Sequence, residues 1–380
     1  MGNHETAEGR PTRSSRRTFL TASAAATAAA VATPLAAAPA AAATGAPPGP
    51  GRPARPQRPG RELTALLREI DSRRIEAVVR RLAAFGTRHT LSSQTDPVRG
   101  IGAARDWIHA QLSGYAAASG GRMSVELQSY VQQPASRIPV PTTITNVVAT
   151  LRGDVTPERV YVITGHYDSR ATDVMDAVSD APGADDDASG VAVVMELARV
   201  LSTRRTEATV VLAAVAAEEQ GLYGSAYLAA QLKAAGADVQ AMFSNDIVGS
   251  STADDGSRDP RTVRLFAEGV PTAETPAEAS VRQSVGGEND SPSRQLARFV
   301  TDVAENSATG MDVRVIYRRD RYLRGSDTSR SCARGGQPAG SPSRTRTSPT
   351  STRTCGSSTG CSTATCPSSA TSATSPGWRG

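Results

Sequence analysis

Apolar residues recur at three- and four-residue steps through Leu63, Leu66, Leu67, Ile70, Ile75, Val78, Val79 and Leu82. That spacing predicts helix over the first folded stretch, and the same pattern resumes at residues 101–112 after a polar loop. The period then changes. Residues 123–130 alternate as an edge strand does, 143–151 are β-branched, and 159–164 and 209–216 are short, continuous apolar runs. Such runs suit strands buried on both faces. Between the last two, Val191, Val194, Met195, Ala198 and Leu201 mark one face of a helix over 188–201; a second helix over 225–235 precedes a strand at 241–247. Strands at 262–268 and 312–318, with a helix over 293–306 between them, complete the pattern. The expected fold is α/β: a largely parallel twisted sheet with helices on both faces, in a single domain over residues 61–326 that lacks its last elements.

Both ends of the 380-residue chain depart from this pattern. Residues 1–43 begin polar and basic, with Ser15-Arg16-Arg17-Thr18-Phe19-Leu20 ahead of an Ala-rich run. A twin arginine before a mild apolar segment predicts a twin-arginine export signal and a secreted protein, and the run is too short and too Ala-rich for a permanent membrane span. Residues 44–60 form a Pro/Gly/Arg-rich linker. From Asp327 to Gly380 there is no Val, Ile, Leu, Met, Phe or Tyr. A segment so poor in apolar side chains is expected to stay disordered and pack on nothing. All four cysteines lie there (Cys332, Cys355, Cys361, Cys366), without paired CxxC spacing or an accompanying His, so no metal ribbon is indicated. The 42 basic residues are all Arg except Lys233, as a GC-rich gene gives, and a shifted reading frame of such a gene yields this Ser/Thr/Arg/Pro mixture. The two tails also carry the basic charge. Residues 1–60 hold seven Arg against two Glu and 327–380 six Arg against one Asp, so the net charge of +5 leaves the folded part acidic and gives no sign of nucleic-acid binding.

The candidate chemistry lies where strands end. His166 and Asp168 form an HxD pair just past an apolar run; two apart on extended chain, their side chains point the same way. The loop Gly183-Ala184-Asp185-Asp186-Asp187-Ala188-Ser189-Gly190 opens a helix, where three acids could cap the helix or aim into a crevice. Glu218 and Glu219 follow the run Val-Val-Leu-Ala-Ala-Val-Ala-Ala, and Asp246 lies within the apolar run 241–248; carboxylates in such places are costly unless paired or used. Imidazole with carboxylate is a donor set that zinc accepts, and manganese or cobalt could occupy it too. Strand ends of an open α/β sheet gather residues distant in sequence into one crevice.

The segments GHYDS, PGADDDASG, AAEEQGLYGS and NDIVG resemble, in order and wording, the co-catalytic di-zinc aminopeptidases of the secreted bacterial leucyl aminopeptidase type. The resemblance covers residues 62–327. It implies that His166 and Asp246 hold one zinc, that Asp186 bridges two, and that Glu219 holds the second. It also implies that Glu218 is the general base and that Asp168 orients His166. The family's remaining ligand is a histidine after a Ser-Asp pair; here Ser326-Asp327 is followed by Thr328, and no histidine occurs after His166. The second zinc site is therefore incomplete. The activity implied is removal of N-terminal amino acids from peptides by a monomeric enzyme. The alternatives are a catalytically impaired, truncated or frameshifted member of the family and, within the same fold, a carboxypeptidase or glutaminyl cyclase.

Overall fold

The computed structural model describes residues 59–318, apart from 254, 272, 273 and 290, together with residues 350–354. The expected leader and nearly all of the linker lie outside the described residues. Three helices come first: α1 (Arg61–Glu69), α2 (Ser72–Ala83) and α3 (Ile101–Ala118). The chain turns between α1 and α2 at Asp71, whose carboxylate accepts the Arg73 N–H and so caps α2. The rest of the chain runs β1 (Met123–Gln132), β2 (Thr142–Leu151), β3 (Thr156–His166), α4 (Ser189–Ser202), β4 (Ala208–Val215), α5 (Tyr223–Ala234) and β5 (Asp238–Asn245). It continues through β6 (Thr262–Ala267), α6 (Pro276–Val285), α7 (Pro292–Ala304), β7 (Asp312–Ile316) and β8 (Thr350–Thr354).

The strands form one sheet in the order β1-β2-β4-β3-β5-β8-β6-β7. It is less parallel than the sequence suggests. The central β4-β3-β5 set is parallel, as are the β5–β8 and β6–β7 pairs, whereas β1–β2, β2–β4 and β6–β8 are antiparallel. The difference arises at β1 and β2, which enter through a reversing turn without an intervening helix, so no crossover can make them parallel.

Alternating residues of the central strands feed two cores. Val147, Ala149, Leu151, Leu212 and Ala214 face α2, α3 and α4 with Leu82, Ile108, Leu112, Val194 and Met195. Val148, Val211, Ala213 and Val215 face the other way, with Leu228 of α5. Period-two strands between helix layers bury both faces, which is why β4 reads as continuously apolar. The β6–β7 end has a far smaller core, built on Leu265, Ala267 and Ala297.

Two stretches differ from expectation. Helix α6 has no buried residue; it is set by a capping box in which the Thr275 side chain accepts the Glu278 N–H while Glu278 reaches back, and by Pro276 in its first turn. Thr350–Thr354, in the stretch expected to pack on nothing, pairs as β8 with β5 and β6. Backbone groups on the two facing strands supply those pairings, so a Thr/Ser-rich segment needs no apolar side chain to make them. The rest of 327–380 lies outside the described residues.

The topology fixes where a site can form. From β3 the chain crosses through α4 to β4 on one side, then through α5 to β5 on the other side of β3. The strand order reverses at the C-terminal end of β3, the place where open α/β sheets bind ligands. His166 is the last residue of β3. Among the described residues, no helix is long and apolar enough to cross a membrane.

Candidate metal centre

The candidate residues come from the ends of the central strands and from the turn that opens α4. His166 ends β3, Glu218 and Glu219 follow β4, Asp246 follows β5, and Asp186 lies in the turn Ala184–Ala188 that leads into α4. His166 is buried; its Nε2 is 3.0 Å from Asp186 Oδ1. On its other side, Nδ1 lies 3.2 Å from the Asp168 carbonyl oxygen and 3.5 Å from Asp168 Oδ1. A carbonyl only accepts, so Nδ1 carries a hydrogen and Nε2 is the nitrogen turned to the crevice. One ligand atom from each of His166, Asp186 and Asp246 lies within 4.8 Å of the others.

Asp187 holds these parts together. Its Oδ2 accepts the His166 N–H at 3.0 Å, and its Oδ1 accepts the N–H groups of Gly190 at 2.8 Å and Ile247 at 3.3 Å. One buried carboxylate thus joins the end of β3, the start of α4 and the residue after Asp246. The sequence shows three consecutive acids and does not say which is the metal ligand and which the brace; that follows from this wiring. Close packing of α4 on the strands leaves no space for side chains at two positions: a Cβ on Gly190 would sit 2.2 Å from the Asn245 carbonyl oxygen, and one on Gly165 2.5 Å from Gly190. The backbone also turns left-handed at Ala217 (φ 60°) and Ile247 (φ 59°), immediately before Glu218 and after Asp246. For a β-branched residue such as Ile247 this conformation costs on the order of 1–3 kcal/mol, held here by burial and by the bond to Asp187.

Asp168 acts on two sides. Besides facing His166, its carboxylate accepts the N–H of Glu218 at 3.2 Å and of Glu219 at 3.1 Å, which places the glutamate pair relative to the imidazole. Arg88, absent from the residues the sequence singled out, lies beneath the centre, fully buried. Its guanidinium donates to the carbonyls of Tyr167 at 2.7 Å, Pro182 at 2.6 Å, Gly183 at 2.9 Å and Leu82 at 3.0 Å. It so fixes both the HxD segment and the entry to the acidic turn. Burial lowers its pKa to about 10, partly offset by Asp168, Asp187 and Asp186, so it stays charged at neutral pH. A lone Arg in a polar loop gave no sequence signal for this role.

Glu218 is half-buried and Glu219 buried. Burial and then the charge of Asp186 push the Glu219 carboxyl up to about 7. Burial alone would lower the His166 imidazole, but its bonds to Asp168 and Asp186 and the charges of Asp187 and Glu218 hold it well above its ordinary value. A cluster this acidic, gathered in a dry crevice, is stabilised by a cation. The donor set fits zinc. One imidazole nitrogen and two carboxylates within 4.8 Å suit an ion whose ligands at about 2.0–2.2 Å are spread tetrahedrally. Glu219 lies outside this three-residue set; its Oε2 is 3.5 Å from Arg170 Nε. Ser326, Asp327 and Thr328 lie outside the described residues.

Comparison with known proteins agrees with this layout. Residues 146–332 match Peptidase family M28. A probable zinc metalloprotease of Leptosphaeria maculans is 60% identical over 266 residues, covering 70% of this chain and 62% of that protein. One of Pyricularia oryzae is 58% identical over 267 residues, covering 70% of this chain and 53% of its own length. This chain thus spans less than two thirds of the length of either curated relative. The LapA aminopeptidase of Legionella pneumophila shares the fold, with a TM-score of 0.51 and 20% identity over 78% of this chain and 64% of its own. Residues 146–332 thus carry a Peptidase family M28 domain, and the chain is homologous to zinc metalloproteases.

Proposed function

We propose that this protein is a zinc-dependent exopeptidase that removes N-terminal amino acids from peptides. The observation that carries this reading is the convergence of His166 at the end of β3, Asp186 in the turn into α4 and Asp246 just after β5, within 4.8 Å of one another beside two glutamates. His166 Nε2 and one carboxylate oxygen each of Asp186 and Asp246 would hold the ion. Zinc bound there supplies Lewis-acid chemistry, lowering the pKa of water and polarising a carbonyl. Glu218 is the base. Half-exposed beyond β4, with its backbone clamped by Asp168, it takes a proton from the attacking water on its carboxylate and returns it to the departing amine. Asp168 keeps the hydrogen of His166 on Nδ1, leaving Nε2 as donor to the metal.

A second reading has two observations in its favour. Glu219 stands outside the three-ligand set and Thr328 follows Ser326-Asp327, so the chain is a weakly active member with one complete ion site. The proposal includes export by the twin-arginine route, peptides with a free N-terminus as substrates, and action as a monomer. The test uses the full chain with zinc on leucyl-p-nitroanilide and its N-acetylated counterpart. Zinc-dependent release from the first alone is expected, even if slow. Equal release from both would overturn the exopeptidase reading, and release insensitive to chelation would overturn the zinc reading.

A further inference from the structure

Glu219, the residue expected to hold a second ion, already faces a cation of the protein's own. Arg170 Nε lies 3.5 Å from Glu219 Oε2, with the two side chains 24% and 10% exposed. The pair is built in from both sides. Arg170 follows the HxD segment by two residues, so its backbone leaves the same strand end that presents His166. Glu219 is anchored by its N–H on Asp168 Oδ2 at 3.1 Å and by its carbonyl, which accepts from Arg137 Nη1 at 2.8 Å. Asp168 thus fixes one partner by hydrogen bond and the other by chain connection.

A guanidinium there has two consequences. It has no lone pair to offer and does not deprotonate in the physiological range, so it can never become a ligand. Its positive charge, a few ångströms from the carboxylate, opposes a divalent cation in a site of low dielectric. It also supplies the charge balance that a second ion would otherwise give the Asp186–Glu219 side of the centre. We propose that Arg170 stands in for the second metal: it is the fixed counter-charge of Glu219, and the centre takes one divalent ion per chain.

The inference rests on the zinc-centre reading and goes beyond it by assigning the ion count to Arg170 rather than to the absent histidine alone. The test is zinc titration calorimetry on the full chain, with elemental analysis after dialysis, for the native protein, Arg170→Gln and Arg170→Lys. One tightly held ion is expected in the native protein. In Arg170→Gln a second ion should appear or tighten by about tenfold or more, while Arg170→Lys, which keeps the charge, should remain close to native. Two tightly held ions in the native protein would overturn the inference. So would a second-site affinity in Arg170→Gln within twofold of native, since the missing histidine would then suffice. Failure of any variant to hold even the first ion would overturn the zinc-centre reading along with it.

Discussion

The two ends of the sheet are built to different standards. Around β4-β3-β5, strands are sandwiched by α2, α3 and α4 on one face and α5 on the other, and the buried set includes Leu82, Leu112, Met195, Leu212 and Val215. Around β6, β7 and β8, the core comes down to Leu265, Ala267 and Ala297, while Val281, Val285 and Phe299 of α6 and α7 stay exposed at 63%, 71% and 64%. The candidate centre draws every described residue from the first region. A crevice that concentrates acids needs rigid strand ends to hold them, and only a core packed on both faces provides that rigidity. The second region shows what remains of the fold when apolar side chains run out: backbone pairing and helix caps.

The largest effect expected within this contrast is chemical. Glu218→Gln keeps shape but cannot accept a proton, so activity should fall by about 100- to 10,000-fold with zinc content unchanged. Assay and elemental analysis of one preparation check both halves, and undiminished turnover would remove Glu218 from the mechanism. Next comes packing. Leu212→Ala, in the doubly covered strand β4, should cost about 2–5 kcal/mol in urea unfolding, with Leu265→Ala in β6 at the lower end of that range. Equal losses would erase the contrast between the regions. Arg88→Met should weaken zinc binding by about 10- to 100-fold, because four carbonyls that hold the HxD segment and the acidic turn lose their common donor. Zinc affinity equal to native would make Arg88 a packing residue only. The smallest is Thr275→Ala, which removes the α6 capping box for about 1 kcal/mol and should leave zinc binding untouched.

Glu219 adds a dependence on pH. Its carboxyl lies near 7 in the folded protein against an ordinary 4.5, so the folded chain holds a proton there that the unfolded chain releases. Stability from this group is present below about 4.5 and is lost as pH rises towards about 7. Thermal unfolding of chelator-treated protein across that window should show the decline, and a flat profile would contradict it.

The central region was legible because burial on both faces writes itself as unbroken apolar runs, and an acid or histidine directly after such a run is conspicuous. Hence β2 to β5 stand out ahead of the fold, as do His166 with Asp168, the pair Glu218 and Glu219, and Asp246, whereas only the family resemblance singles out Asp186 among three consecutive acids. Asp187 and Arg88 could not be assigned roles, since both act through backbone groups of distant segments and leave no periodic trace. Helix α6 escaped an apolar-period reading because it has no buried face, although Thr275, Pro276 and Glu278 spell a capping box. Strand β8 escaped because its pairing is carried by main-chain groups that every sequence possesses. The parallel character was overestimated because the period-two pattern marks strands and leaves their direction open, as β1 and β2 show.

That two strand ends, of β3 and β5, and the turn into α4 deliver one zinc site is tested most directly by anomalous diffraction at the zinc edge from crystals of the zinc-loaded full chain. The account predicts a peak bounded by His166 Nε2 and the carboxylates of Asp186 and Asp246, with the Glu218 carboxylate beside it. A peak elsewhere, or none at this position in protein that retains zinc through dialysis, would contradict it.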